Sequence, residues 1–161
     1  GCTDAKVVDE QAAAEMTMSN FYAYLSGASL IHDVGYIDSG TNASLEALVL
    51  NQEIMGMIRQ FGKGINTEEE YLALDLINEK GPGGEYVTSD HTFKHWKEWY
   101  LPTLQDRSHY ESWVADGAKS MTDRINERTQ HLLDTYEPDP IPDDQRKELE
   151  AIIKAADERH S

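Results

Sequence analysis

The sequence predicts an α/β protein seen in part, mostly helical with one or two strands. Capped, apolar-striped helices account for most of the chain. A single segment, Ser29–Tyr36 (SLIHDVGY), reads as a strand standing between two helices. A strand cannot satisfy its backbone alone, and even a two-stranded hairpin is marginal in water. No neighbouring segment offers an antiparallel partner. Helix–strand–helix is the rhythm of a parallel sheet with helical crossovers. The expectation is therefore the C-terminal piece of a larger α/β protein. The competing reading is a small helical protein that uses this stretch as a loop.

Each element has its own reason. Asp9 is a natural N-cap with Glu10 in the first turn, and the helix it opens places Met18, Phe21 and Leu25 on one face. Gly27 stops it. Ser39-Gly40-Thr41-Asn42 is a turn. A second helix from Ser44 to Phe61 is apolar on more than one side, the mark of a helix buried between neighbours. Thr67-x-x-Glu70 reads as a capping box before Tyr71 and Leu72. The glycines of 81–84 break the chain, and a second short strand is expected at Tyr86–Val87. An aromatic-rich short helix follows, stopped before Pro102. Ser108-x-x-Glu111 reads as a capping box opening one long helix to Tyr136. The prolines of 137–144 make a stiff linker, and Asp143 or Asp144 caps a last amphipathic helix.

The charge excludes one class of partner. Fourteen basic against thirty acidic residues give a formal charge of −16, whereas a phosphate backbone needs a positive surface. No nucleic acid and no membrane partner is expected, and no apolar run approaches the length that crosses a bilayer. A single cysteine, Cys2, allows neither an internal disulfide nor a multi-cysteine metal cage. The balance fits a cytoplasmic protein that attracts small cations or a basic partner, or simply a solvated acidic surface.

In parallel α/β folds the chemistry lies beyond the carboxyl ends of the strands. His32, Asp33, Tyr36 and Asp38 sit at or just past such an end, and Asp4 and Lys6 hold the equivalent place before the first helix. Strand alternation puts His32, Val34 and Tyr36 on one face and Asp33 on the other. His32 and Tyr36 are the preferred inward pair, with inward Asp33 the alternative and a hydrogen-bonded core histidine the plain reading of His32. Asp4 and Lys6 are either a charged site or a salt-bridged loop. His91 and His95 share a helical face, but Thr92 follows His91 and no third ligand is evident, so no metal site is expected.

Three stretches carry a resemblance: GCTDAKVVDEQ, LIHDVGYIDSGTNASLEALVLNQEIMGMIRQFGKGI, and GPGGEYVTSDHTFKHW with LPTLQDRSHYESW. They resemble the C-terminal third of the trimethylamine methyltransferase family, nearly end to end. Glu85 stands where many relatives have histidine. The resemblance implies a (β/α)8 barrel about three times this length. Residues 1–107 would be its last βα units, and 108–161 a helical extension against the barrel or a neighbouring subunit of a homo-oligomer. It implies methyl transfer from trimethylamine to the Co(I) of a corrinoid carried by a partner protein, in methylamine-dependent methanogenesis. It also implies pyrrolysine just before Gly1. This segment itself would bind no cofactor, and the corrinoid lower-ligand motif D-x-H-x-x-G does not occur in it.

On that reading Asp4, Lys6 and His32 are the catalytic candidates. Tyr36, Asp33 and Asp38 would bind substrate, and His91 would face the corrinoid partner. Tyr36 matters because ring faces hold methylammonium groups. For the other aromatics core packing is the expected role. Two alternatives stand: a pyrrolysine-free relative that demethylates glycine betaine, with Lys6 meeting the substrate carboxylate, and a non-catalytic helical interaction protein.

Overall fold

The computed structural model describes residues 1–160. In chain order the elements are α1 (Glu10–Leu25), β1 (Tyr36–Ile37), β2 (Asn42–Ala43) and α2 (Leu45–Gly62). They are followed by α3 (Glu69–Leu72), α4 (Leu74–Lys80), α5 (Asp90–His95), α6 (Tyr110–Ala115), α7 (Met121–Thr135) and α8 (Asp143–His160). Short 3-10 turns occupy Asp38–Gly40 and Trp96–Glu98. The chain divides into two compact units, Gly1–Gln130 and the residues from His131 onward. The molecule is mostly helical, in keeping with a segment of an α/β protein.

The first unit is built on α1 against α2. Both helices start as their sequences require. Asp9 accepts the Ala12 amide at 3.1 Å, and Ser44 Oγ accepts the Ala47 amide at 3.1 Å. The buried stripe of α1 is Ala12, Met16 and Asn20, spaced by four. It meets Ala47, Leu50, Asn51, Ile54 and Ile58 of α2. The expected inward face of α1 is therefore corrected: Met18 and Leu25 are exposed, and Phe21 packs edge-on against Phe61 at 5.0 Å. Small Ala12 and Ala47, both fully buried, let the two helices approach on this side rather than on the bulkier one.

The strand expectation is corrected as well. Residues 29–35 are not extended, because Asp33 (φ 61°) and Gly35 (φ 88°) turn the chain. The strand is only β1, and it pairs antiparallel with β2, Tyr36 opposite Ala43 and Ile37 opposite Asn42. Its partner was thus hidden in the segment read as a turn. Tyr86–Val87 forms no strand: the Val87 amide donates to Glu85 Oε1 and the Ser89 amide to Tyr86 O, which makes a turn.

Two capping boxes do not form. Asn66 Oδ1 accepts the Glu68 amide, which makes Glu68 the N-cap of α3 and leaves Thr67 outside. Asp106 Oδ1 accepts both the amide and the hydroxyl of Ser108, so α6 starts without a side-chain cap. The predicted long helix is two. It breaks where Gly117 (φ 96°) and Ala118 (φ 51°) turn left-handed and Trp113 Nε1 donates to Lys119 O. The working box is Ser120 with Asp123: Asp123 accepts the Ser120 amide and hydroxyl, and Ser120 Oγ accepts the Asp123 amide.

A loop completes the unit. Tyr100 lies on Gly56 so closely that a Cβ there would stand 2.3 Å from its ring. Its neighbour Glu53, 3% exposed, holds the loop by accepting from the Leu104 and Gln105 amides and the hydroxyls of Tyr100 and Thr103. Burial pushes the Glu53 carboxyl up, but these bonds outweigh it, and the net shift is downward. Arg124 of α7 donates to Leu104 O from the other side.

Candidate functional site

The chain start lies alongside the β1 turn. Thr3 N donates to Tyr36 O (3.2 Å), Asp38 N to Ala5 O (2.9 Å) and Ser39 N to Thr3 O (3.2 Å). This ladder brings Asp4, Lys6 and Asp38 together. Ser39 Oγ donates to Asp4 Oδ1 at 2.8 Å. Lys6 Nζ donates to Asp4 O at 2.8 Å and stands 3.5 Å from Asp38 Oδ1. Asp38 Oδ2 also accepts from Thr41 Oγ1 and Asn42 Nδ2. Thr41's hydroxyl, ahead of Lys6, holds the Asp38 carboxyl below its ordinary range.

Asp38 (φ 53°) and Ser39 (φ 56°) are both left-handed, a conformation short polar side chains tolerate by bonding locally. Such backbone persists only where surrounding bonds over-determine it. Here the ladder and the Thr41 and Asn42 bonds do so.

Glu15 of α1 supports this corner and had no signal in the sequence. Its Oε2 accepts the Asp4 amide (2.8 Å) and the Thr3 hydroxyl (2.5 Å), and Gln11 donates to Oε1. The Thr3 hydroxyl chiefly, then Gln11 and the Asp4 amide, lower its pKa. A one-turn spacing from Gln11 is all that the sequence displays of it.

His32 and Asp33 form a separate pair, Nδ1 to Oδ1 at 2.8 Å, with both side chains well exposed. His32 is thus neither a core histidine nor a member of a strand face. The Gly1 nitrogen donates to His32 O at 3.4 Å. Tyr36 contributes its carbonyl to the ladder, and the residue is 42% exposed. Among the described residues no hydrogen bond or ion pair joins the His32 pair to the Asp4–Lys6–Asp38 group.

His91 lies in another cluster, at α3 and α5. Its Nε2 meets Glu70 O at 2.8 Å, and its ring stacks on His95 at 4.5 Å. His95, mostly buried, sits between Glu98 (Nδ1, 2.8 Å) and Glu70 (Nε2, 3.4 Å) with Tyr71 against its ring. Lys94 pairs with Glu70 and lowers it, and the His95 hydrogen bond lowers Glu98. Trp96, Trp99 and Leu101 line a shallow cavity beside the two histidines. Among the described residues no group of three or more His, Cys, Asp or Glu side chains is placed to hold a metal ion.

The sequence profile of the family described as Trimethylamine methyltransferase (MTTB) matches residues 1–160. The chain belongs to the trimethylamine methyltransferase family. Trimethylamine methyltransferase MttB of Desulfitobacterium hafniense (strain DSM 10664 / DCB-2) is 32% identical over 160 residues, covering 99% of this chain and 32% of that protein. Glycine betaine methyltransferase of Desulfitobacterium hafniense (strain Y51) is 35% identical, covering 95% of this chain and 32% of its own. Trimethylamine methyltransferase MttB of Methanosarcina barkeri (strain Fusaro / DSM 804) is 34% identical, over 96% and 31%. The chain spans about a third of the length of these curated relatives. Each of these relatives is named a methyltransferase. Among the described residues no helix is long and apolar enough to cross a membrane.

Proposed function

We propose that the chain is the C-terminal part of a (β/α)8 methyltransferase that takes a methyl group from trimethylamine. The observation that carries the substrate reading is the charge of the β1 turn. Two carboxylates, Asp4 and Asp38, stand with Lys6, whose Nζ donates to the Asp4 main-chain oxygen and pairs with the Asp38 carboxylate. Asp33 is a further carboxylate nearby in sequence. The corner is net negative and suits an ammonium group better than a carboxylate.

Neutral trimethylamine is a poor methyl donor, because its nitrogen would leave as an anion. In the protonated amine the C–N bond breaks with its electron pair going to nitrogen, and neutral dimethylamine leaves. Asp4 and Asp38 favour the cationic form by Coulomb attraction. The Tyr36 ring offers its face to methyl groups, worth roughly 0.5–2 kcal/mol. His32, exposed and paired with Asp33, carries the proton to or from solvent. The reduced cobalt of a corrinoid, held by a partner protein that caps the barrel mouth, supplies the nucleophile. His91 lies on the partner's side in this reading. The whole protein works in the cytoplasm in methylamine-dependent methanogenesis. It forms a homo-oligomer, for which the exposed Leu149, Ile152 and Ile153 of α8 offer an apolar surface.

Pyrrolysine immediately before Gly1 belongs to this proposal. Its electrophilic imine ring would help fix the amine.

A glycine betaine demethylase is the second reading, favoured by the 35% identity to a glycine betaine methyltransferase. Intact mass of the full-length native protein, with sequencing of the peptide through Cys2–Lys6, tests the proposal. It expects a mass about three times 18.2 kDa with pyrrolysine before Gly1. A genetically encoded ordinary residue at that position contradicts it.

A further inference from the structure

Burial alternates along residues 3–6: Thr3 and Ala5 are buried, Asp4 and Lys6 exposed. One edge of this segment is bonded to the β1 turn, through Thr3 N to Tyr36 O, Asp38 N to Ala5 O and Ser39 N to Thr3 O. On α1 a single carboxylate takes it up. Glu15 Oε2 accepts the Asp4 amide at 2.8 Å and the Thr3 hydroxyl at 2.5 Å. Gln11, one turn earlier on α1, donates to Oε1 at 2.8 Å and orients the carboxylate. Both main-chain groups of Asp4 are thereby engaged, its N–H by Glu15 and its C=O by Lys6. Hydrogen bonds to an ionised acceptor are roughly twice as strong as neutral ones.

Glu15 is itself placed by the helix core. It adjoins Met16, which with Ala12 and Asn20 forms the fully buried stripe of α1, and α1 packs on α2. A helix held in this way cannot shift to follow a loop, so the loop takes its position from the helix.

We propose that Glu15 is a positioning residue for amine binding. It fixes the Asp4 main chain, and through the Thr3 and Ala5 rungs the Asp38 turn, so that the two carboxylates are already set for a cationic methylamine. Glu15 acts through Asp4 and does not touch the amine, because its own oxygens are taken by three donors. The inference rests on the proposed function in taking the Asp4–Asp38 corner as the amine site. The hold on Asp4 is independent of substrate.

The test uses the full-length protein with Glu15→Met, Glu15→Gln, Thr3→Val, Asp4→Asn, and Asp4→Asn combined with Glu15→Met. The first readout is hydrogen–deuterium exchange of the Asp4 amide. Glu15→Met, which keeps length but has no oxygen, should speed it at least tenfold while the α1–α2 peptides stay protected. Glu15→Gln drops the charge but keeps an acceptor, and should restore exchange close to wild type. Thr3→Val removes one donor with little change of shape; it should act in the same direction by a smaller factor, and it decides the matter if Glu15→Met does not fold. The second readout is KM against kcat with trimethylamine. Glu15→Met should raise KM several-fold with kcat less affected, Glu15→Gln should not, and in the Asp4→Asn background Glu15→Met should change KM less than about twofold.

Unchanged Asp4 exchange in Glu15→Met, or in Thr3→Val where that variant stands in for it, would overturn the proposal. An equal rise of KM in Glu15→Gln would assign the effect to charge and also overturn it. So would KM effects of Glu15→Met and Asp4→Asn that multiply, since Glu15 would then not act through Asp4. If no methylamine is a substrate, the proposed function fails, while the exchange experiment still decides whether Glu15 positions Asp4.

Discussion

Glu53 Oε1 accepts the Leu104 amide at 2.6 Å, a bond between residues 51 apart in sequence. With Tyr100, Thr103 and Gln105 on the same carboxylate, it ties an irregular loop to the centre of α2. Arg124 Nε, donating to Leu104 O, and Gln105 Nε2, donating to Met57 Sδ, are further ties of the same loop.

Glu53→Gln keeps the shape and one acceptor but places an NH₂ group against donors. It should destabilise the full-length protein by about 1–3 kcal/mol at pH 7, read by denaturant unfolding. The pH dependence has a definite sign. The folded pKa lies below the ordinary 4.5, so the unfolded chain binds the proton more readily. Glu53 therefore adds stability above pH 4.5, and the contribution fades as pH falls through the folded value. The acid limb of the stability curve should be shallower in Glu53→Gln. An identical limb in both proteins would refute the role.

Gly56→Ala tests the same joint from the other side. Its Cβ would stand 2.3 Å from Tyr100 Cζ, so the ring must leave and its bond to Glu53 must break. A loss of about 1–3 kcal/mol is expected, although alanine is the better helix former. A stabilised Gly56→Ala protein would show that Tyr100 does not pack there.

Asp38→Asn removes a carboxylate from the β1 turn. KM for the amine should rise several-fold in steady-state kinetics, with kcat less affected, because the lost attraction acts on the bound cation. Lys6→Met should lower KM or leave it unchanged, since it frees Asp38. A large rise in KM for Lys6→Met would instead point to a substrate carboxylate and to glycine betaine.

Ser120→Ala removes the hydroxyl that caps α7. It should cost about 1 kcal/mol, measured as a drop in midpoint of unfolding. Ser108→Ala, outside any cap, should cost less. Equal losses would mean that the Ser120–Asp123 box does not hold the helix.

What the sequence revealed followed the range of the interaction. The Asp9 and Ser44 caps are local chemistry and appear where their residues predict. The two failed boxes are also local, but Asn66 and Asp106 stand just upstream and capture the donors first in turns of their own. The hairpin was hidden because two-residue strands leave no period to read, and because Asp33 and Asp38 adopt positive φ without glycine's signal. At the site, the sequence pattern set Asp4 with Lys6 and set Asp38 with His32 at a second strand end; the contact of Asp38 with Lys6 comes from the ladder between the chain start and the β1 turn. The separation of His32 from them was not legible, since it follows from the turn at Asp33. Glu15, Asn20 and Glu53 were invisible for one reason: a polar residue of a helix becomes informative only when its distant partners are known.

The full-length protein is proposed to move a methyl group from protonated trimethylamine. The most direct measurement is methylation of the cognate corrinoid protein, followed spectroscopically, with trimethylamine and glycine betaine supplied separately. Methyl transfer from trimethylamine is expected, with Asp38→Asn slower at limiting amine. Transfer from glycine betaine alone, or from neither, would contradict it.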